Sequence, residues 1–314
     1  MISVVLPVYN ESGNLRALHT RLAAVAAGVP GEQFEFIFVD DCSSDDTPAV
    51  LDELRHADDR VQVIRFARNC GSHAAVAAAL AHCAGNCAIM LASDLQDPPE
   101  IIPRLLEPWT RGYKVVWGER ERREAEPLLT RTLSRSYYVL MNTLTDVRQP
   151  PTGADVFLID RAVIDAVNRA QEKNTSIYML LAWLGFSQTQ ITYVKEARRS
   201  GVSKWTFSKR FKLFFDSLIS FSYLPLRFMS LTGVACALLG FLYGLLVAFN
   251  ALTGRVRNPG WASLMVVILV LGGVQMAMLG VLGEYLWRAY DEGRGRPRYV
   301  IERNTLAGRV PAER

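Results

Sequence analysis

Three short polar runs carry the residues best suited to chemistry, and each follows an apolar stretch. Tyr9-Asn10-Glu11 follows residues 2–8, and Asp40-Asp41-Cys42-Ser43-Ser44-Asp45-Asp46-Thr47 follows 34–39. Ala92-Ser93-Asp94-Leu95-Gln96-Asp97-Pro98-Pro99-Glu100 follows 87–91. Carboxylates gathered this way can hold ribose hydroxyls, bind a base edge, or ligate a hard cation through oxygen. Singly, each run has a plainer use. Residues 44–46 suit a turn with a helix N-cap, and Asp97, just before two prolines, suits a cap as well as a metal ligand. Asp40 and Asp41 suit that plainer use less. His73, His82, Cys83 and Cys87 lie close together but match no zinc spacing, so they are expected to pack in an Ala-rich helix. The five cysteines (Cys42, Cys70, Cys83, Cys87, Cys236) are odd in number, scattered and without a C-x-x-C pair. Reduced thiols on the cytoplasmic side are expected, not a disulfide framework.

The elements that must position these runs alternate between two periodicities. Residues 2–8, 34–39, 61–66, 87–91 and 113–117 read as strands. Helices are expected over 12–27, capped by Ser12, with Leu15, Leu18, Leu22 and Val25 on one face, and over 47–55, 74–84 and from Pro98-Pro99 to Trp109. Strand–helix–strand repetition predicts a mostly parallel α/β sheet covered on both faces. In such sheets ligands bind beyond the carboxyl ends of the strands, where the three polar runs fall. Farther on, 128–144 and 176–184 read as helices, and 156–159 and 190–194 as strands.

The 314 residues are 50% hydrophobic and 21% charged, with formal net charge +4. That length accommodates one large domain or two modest ones. The mean hydropathy of +0.12 is high for a soluble enzyme. The surplus is localised: no charged residue occurs from Phe228 to Gly254 or from Asn258 to Gly283. Each run exceeds the roughly 20 residues needed to cross a hydrocarbon core, so two membrane spans are expected, over 227–250 and 262–287. The N-terminus reads as a strand and not as a signal peptide. Ahead of the first span, Phe207, Phe211, Phe214, Phe215 and Leu218 recur at helical spacing among Lys209, Arg210 and Lys212, as in a basic amphipathic helix lying in the membrane interface. Basic residues flank the outer ends of the hairpin, whereas the connecting loop has only Arg255 and Arg257, which predicts both termini in the cytoplasm.

Taken together, VVLPVYNE, FVDDCSSDDT, RNCGSHAAVAAAL and DLQDPPE resemble glycosyltransferase family 2, whose fold is the Rossmann-like GT-A type. GVSKWTFSKRFKL, FSYLPLRFMSLTG and GVLGEYLWRAYDEGRGRPRYVIE narrow the resemblance to the polyisoprenyl-phosphate glycosyltransferases, over nearly the whole chain to about Ile301. The resemblance implies that Pro7, Tyr9, Glu11, Asp40 and Asp41 hold the nucleotide. It puts Asp94 and Gln96 at the diphosphate with Mg²⁺ or Mn²⁺, and Arg120 near the phosphates. Arg131, Ser134 and Arg135 fall on the acceptor helix, and Arg198, Ser203 and Lys204 on a segment closing over donor and lipid phosphate. Asp155 matches an aspartate considered as a base, with a structural or sugar-binding role as the alternative. Two departures stand out: Ala92 replaces the first aspartate of D-x-D, and Phe157 stands where relatives often carry arginine.

The implied organisation is a GT-A domain over 1–205, amphipathic interface helices over 206–225, a transmembrane hairpin over 226–288 and a cytoplasmic tail over 289–314. The implied activity is inverting transfer of a sugar from a nucleotide donor, UDP-linked by preference, to undecaprenyl phosphate at the inner membrane for cell-envelope glycan modification. A processive synthase is the less apt alternative, since no Q-x-x-R-W follows the core. A catalytically degenerate nucleotide-sugar-binding subunit is the other, motivated by Ala92. The lipid bilayer is an expected partner and nucleic acid is not; homo-oligomerisation is left open.

Overall fold

A strand buried on both faces needs apolar side chains at nearly every position, and the first two strands meet that demand. β1 (Ile2–Val8) and β2 (Phe34–Asp40) are buried almost throughout. The computed structural model describes residues 1–121, 154–170, 176–196, 224–253 and 260–306. After β1 come α1 (Ser12–Ala27), β2, α2 (Thr47–Ala57), β3 (Val61–Phe66), α3 (Ser72–His82) and β4 (Cys87–Met90). A 3₁₀ turn (Pro99–Ile101) leads into α4 (Ile102–Thr110) and β5 (Val115–Arg120). Next come β6 (Ala154–Asp160), α5 (Arg161–Arg169), α6 (Ile177–Trp183) and β7 (Gln188–Tyr193). Two long helices, α7 (Leu224–Leu252) and α8 (Trp261–Gly293), precede β8 (Ile301–Asn304).

The strands form one sheet in the order β7-β5-β6-β4-β1-β2-β3-β8. β4, β1, β2 and β3 run parallel; β6 is antiparallel to both β4 and β5, and β8 is antiparallel to β3. Side chains alternate across each strand. Val4, Leu6 and Val8 therefore meet Leu15, Leu18 and Leu22 of α1, Leu51 of α2 and Leu105 of α4 on one face. Val5, Ile37 and Ile64 meet Ala75 and Ala79 of α3, Val163 of α5 and Leu180 of α6 on the other. α3 is rich in alanine because it lies flat against the centre of the sheet.

Two compact units divide the chain: Met1–Ser217 with Pro297–Arg314, and Leu218–Arg296. In the second, α7 and α8 are 29 and 33 residues long. They carry candidate spans over Leu226–Val247 and Leu264–Gly293. Leu238, Phe241, Leu245, Val266, Met276 and Leu282 are all exposed. An apolar surface of that extent is stable only against another apolar phase. Glu284, the acidic residue near the end of the second apolar run, pairs with Arg288 one turn on at 3.1 Å.

Three expectations are corrected. Ser12 does not cap α1; its hydroxyl donates to Asp45 Oδ2 at 2.9 Å, and Glu11 occupies the N-cap position. The N-terminal part of 289–314, expected to be a tail, continues α8 to Gly293, and residues 301–304 return to the sheet as β8. Asp97 caps nothing: Pro98 occupies the N-cap of the 3₁₀ turn, without a side-chain cap. The amphipathic stretch, to residue 223, and the expected helix over 128–144 lie outside the described residues.

At the sheet end away from the polar runs, Gly85 donates its amide to Ser3 Oγ at 2.9 Å, and the same hydroxyl donates to Glu35 at 2.5 Å. A Cβ on Gly85 would stand 2.5 Å from Ser3 Oγ and 2.7 Å from the Ser3 amide. Gly85→Ala is therefore expected to lower stability by about 2 kcal/mol, read as a fall in the unfolding midpoint of the purified protein.

Candidate active site at the carboxyl edge of the sheet

Parallel β1, β2 and β4 deliver their carboxyl ends to one edge. Antiparallel β6 brings its amino end, Ala154 and Asp155, to that same edge, with Glu119 opposite Ala154. β7 ends there too, with Arg120 opposite Tyr193. The connections after β1 lead to β2 and those after β3 lead back past β1 to β4, so the chain changes direction between β1 and β4. That is where an open α/β sheet forms its crevice. Ser93 donates its hydroxyl to the Pro7 carbonyl at 2.9 Å and ties the two sides of this switch together.

The loops after β1 and β2 are built on one another. The Asn10 amide donates to Ser43 Oγ at 2.9 Å, the Glu11 amide to Thr47 Oγ1 at 3.0 Å, and the Ser44 amide to Asn10 Oδ1 at 2.9 Å. Asp45 accepts from the Ser12 and Thr47 amides, at 3.3 and 3.0 Å. Burial works against its charge, but the Thr47 and Ser12 donors prevail and hold its carboxyl below the ordinary aspartate value. The plainer use of 44–46 is thus real for Asp45, which serves two helix starts at once.

Asp40 and Asp41 are both buried. Asp40 takes the Ser43 amide at 2.9 Å and an ion pair with Arg65. Asp41 takes the Cys70 and Gly71 amides at 2.6 and 2.8 Å, at the start of α3. Burial raises the Asp41 carboxyl, opposed by those two amides. Tyr9 is 37% exposed, and Glu11 accepts from Asn14 Nδ2 at 2.6 Å. Asn10, Cys42 and Leu95 have φ of 53°, 59° and 61°, one left-handed residue without glycine's freedom in each of the three polar loops. Such conformations cost on the order of 1–3 kcal/mol each and persist where surrounding contacts dictate them.

In the third run burial alternates. Ala92, Asp94 and Gln96 are half-buried, whereas Ser93, Leu95 and Asp97 are buried. Asp94 Oδ1 accepts the Gln96 amide at 3.1 Å. Asp97 turns to the interior, where its Oδ1 accepts from Tyr193 Oη at 2.6 Å and faces Lys195 Nζ at 3.4 Å. Lys195 also donates to Asp155 Oδ2 at 2.8 Å. Burial weakens the Lys195 ammonium, yet Asp97 and Asp155 outweigh it and hold its pKa above the ordinary lysine value. The next residue fixes this strand end: the Glu196 amide donates to the Gln96 carbonyl at 2.8 Å, and Arg21 pairs with Glu196 at 2.7 Å and with Glu100 at 2.6 Å. Tyr178, packed among Trp117, Phe157 and His73, donates to the Asp155 carbonyl at 3.3 Å.

The structure therefore gathers Pro7, Tyr9, Glu11, Asp40, Asp41, Asp94, Gln96 and Asp155 at one edge. Arg120 ends β5 there, exposed. Arg131, Ser134, Arg135, Arg198, Ser203 and Lys204 lie outside the described residues. Tyr193, Lys195 and Arg65 were not singled out by sequence as members of this arrangement, and Asp97 was read there as a cap or a metal ligand, not as a partner of Tyr193 and Lys195. The available signal was a Tyr-x-Lys at the end of β7 and an arginine inside a buried strand. Among the described residues no cluster of three His, Cys, Asp or Glu side chains forms a metal cage.

Carboxylates, backbone amides and an arginine at the switch point of a mostly parallel sheet define a crevice suited to a nucleotide-linked substrate. Residues 3–179 match glycosyl transferase family 2, and residues 224–288 match the GtrB C-terminal hairpin. The chain belongs to glycosyltransferase family 2, and its fold is the GT-A type followed by two apolar helices. It is 34% identical over 303 residues to the SfII prophage-derived bactoprenol glucosyl transferase of Shigella flexneri, covering 96% of this chain and 98% of that one. It is 36% identical over 302 residues to the uncharacterized glycosyltransferase YkcC of Bacillus subtilis (strain 168), covering 96% and 93%. The crystal structure of mannosyl-3-phosphoglycerate synthase from Rubrobacter xylanophilus superposes with a TM-score of 0.49 at 16% identity, over 83% of this chain and 78% of that chain. The protein is a membrane-associated glycosyltransferase.

Lys195 is the cation on which the interior of the site depends, with its side chain 19% exposed against 1% for Asp97. Removing one partner of a buried pair leaves the other charge uncompensated. Lys195→Met is expected to destabilise the fold by about 3 kcal/mol, whereas Lys195→Arg retains most of the stability. Chemical denaturation of the two variants beside the wild type checks this, and a Lys195→Met protein as stable as the wild type would refute the pairing.

Proposed function

We propose that this glycosyltransferase moves a sugar from a nucleotide donor, UDP-linked by preference, to undecaprenyl or a related polyisoprenyl phosphate. The observation that carries this is one chain joining a carboxylate-lined GT-A crevice to an exposed apolar hairpin, matched over 96% of its length by a relative named for bactoprenol. Pro7, Tyr9, Glu11, Asp40 and Asp41 receive the nucleotide, and Asp94 and Arg120 face its diphosphate. Arg131, Ser134, Arg135, Arg198, Ser203 and Lys204 receive the lipid phosphate; paired cationic donors suit a dianion better than any neutral residue.

The acceptor's chemistry sets the demands on the protein. A phosphate monoester has a second pKa near 6 and arrives at neutral pH as a charged nucleophile. Strong general-base help is unnecessary, and catalysis rests on holding two phosphates in line and stabilising the departing diphosphate. Direct displacement inverts the anomeric centre. The Lys195 pairing suits Asp155 to a positioning or sugar-binding role better than to that of an obligate base. Asp94 and Gln96 offer two oxygen donors, which fits Mg²⁺ or Mn²⁺ because phosphate oxygens and water complete such a shell. When bound, the cation neutralises diphosphate charge.

The hairpin is proposed to cross the cytoplasmic membrane twice, with the catalytic domain inside. Its support is chain order: β8 follows the second apolar helix yet pairs with β3, which precedes the first. An even number of crossings satisfies that connectivity. Cysteines introduced into the 253–260 loop should react with an impermeant reagent from outside intact cells, and labelling from the cytoplasm alone would overturn the topology.

Activity is tested by transfer of radiolabelled sugar from a panel of UDP-sugars, UDP-glucose first, into butanol-extractable undecaprenyl phosphate. Wild-type protein should transfer, excess chelator should abolish transfer, and Asp94→Asn should lower turnover about a hundredfold or more. Arg198→Ala or Lys204→Ala should abolish transfer and leave nucleotide binding largely intact. Nucleotide binding without transfer from any donor would favour the degenerate-subunit alternative, and full activity in chelator would refute the diphosphate assignment.

A further inference from the structure

The strand that follows the membrane hairpin reaches the loop that carries Asp40 and Asp41, through a single arginine. Arg65 lies on β3 opposite Arg303 of β8. Its guanidinium has three partners. Nη1 pairs with Asp40, Nη2 donates to the Ser43 carbonyl at 3.3 Å, and Nε donates to Glu302 Oε2 of β8 at 2.9 Å. Asp40 is 1% exposed, and its donors are this guanidinium and the Ser43 amide. Ser43 in turn holds the Asn10 amide of the β1 loop, and the loop between Asp40 and Ser43 contains the left-handed Cys42.

β8 is more than a covering strand. Tyr299 stacks on Phe66 with ring centroids 5.0 Å apart, Leu306 is buried, and Thr305 accepts the Val63 amide at 2.8 Å. Its two charged side chains go to different places. Arg303 pairs with Asp52 of α2 at 2.7 Å, which fastens the strand to the domain. Glu302 instead fixes one arm of Arg65.

We propose that Arg65, oriented by Glu302, is a positioning residue for the donor nucleotide, and that the segment after the second apolar helix is thereby part of the donor site. This rests on the reading of the β1, β2 and β4 loops as that site. A planar guanidinium can engage a carboxylate, a carbonyl and a second carboxylate along three edges at once. With Glu302 holding Nε, the remaining two arms present a fixed geometry to Asp40 and Ser43, and the strained β2 loop keeps the shape that receives the nucleotide.

The experiment uses full-length protein in nanodiscs, with UDP-glucose as donor and undecaprenyl phosphate as acceptor. Arg65→Met should raise the donor KM about tenfold or more, with kcat and acceptor KM within about twofold of wild type. Arg65→Lys should not restore the donor KM, because an ammonium cannot serve three edges. Glu302 is exposed, so Glu302→Gln leaves the fold intact; it should raise the donor KM about threefold and be non-additive with Arg65→Met. Arg303→Ala separates positioning from strand attachment: it should lower the unfolding midpoint without moving the donor KM. Equal effects of Glu302→Gln and Arg303→Ala, or an unchanged donor KM in Arg65→Met, would overturn the coupling while leaving the activity established. A wild-type protein that neither binds nor transfers from any UDP-sugar would overturn the donor site itself, and the coupling with it.

Discussion

Everything at the reactive edge depends on the direction of one strand. β6 enters between β4 and β5 antiparallel to both. A strand rises about 3.3 Å per residue, so a parallel β6 would put Asp155 where Ile159 now stands, roughly 13 Å away toward the opposite edge. Reversed, it delivers Asp155, at the register shift beside Gly118 and Glu119, to the place where β1, β2 and β4 leave their polar loops. β7, parallel to β5, then supplies Tyr193 and Lys195 from its end. One lysine ammonium consequently stands between a carboxylate from the third polar loop and a carboxylate from β6.

Charge satisfaction follows from that arrangement. Carboxylates crowd the edge of this sheet, and the buried ones need donors in place of water. The chain supplies them in three chemical forms. Asp41 and Asp45 are served by backbone amides at helix starts, where unpaired N–H groups are plentiful. Asp40 is served by a guanidinium, and Asp97 and Asp155 share an ammonium. Donors from Ser12, Arg65, Cys70, Gly71 and Lys195 reach across from other parts of the chain, so the loops that carry the left-handed Asn10, Cys42 and Leu95 are cross-braced. A crevice already rigid in this way has little to reorganise when charge shifts during reaction.

How far the site was legible in the sequence varies residue by residue. The three polar runs announced themselves because each ends a strand whose apolar pattern is local. Asp94 and Gln96 were placed together by the family resemblance, and both stand half-buried in the third loop on either side of left-handed Leu95. Asp97 was not legible: a carboxylate before Pro98-Pro99 resembles a cap in sequence, and only its burial beneath Tyr193 gives it another role. Lys195 was equally hidden, because its partners are 98 and 40 positions away.

What the sequence by itself determined is whatever short-range periodicity encodes. That covers the strands and helices of the α/β run, the two apolar helices, and the family, through motifs that each sit within one loop. Tertiary structure decided the rest. The reversal of β6, the interior turn of Asp97 and the return of residues 301–304 to the sheet all depend on pairing across long stretches of chain. Ile-Glu-Arg-Asn has no apolar alternation to mark it as a strand; it becomes β8 because the open edge of β3 needs a partner and Tyr299 and Leu306 anchor either side of it. Arg65 and Glu302 are 237 residues apart. Local propensity has no access to a contact at that separation, which exists only once the sheet has assembled.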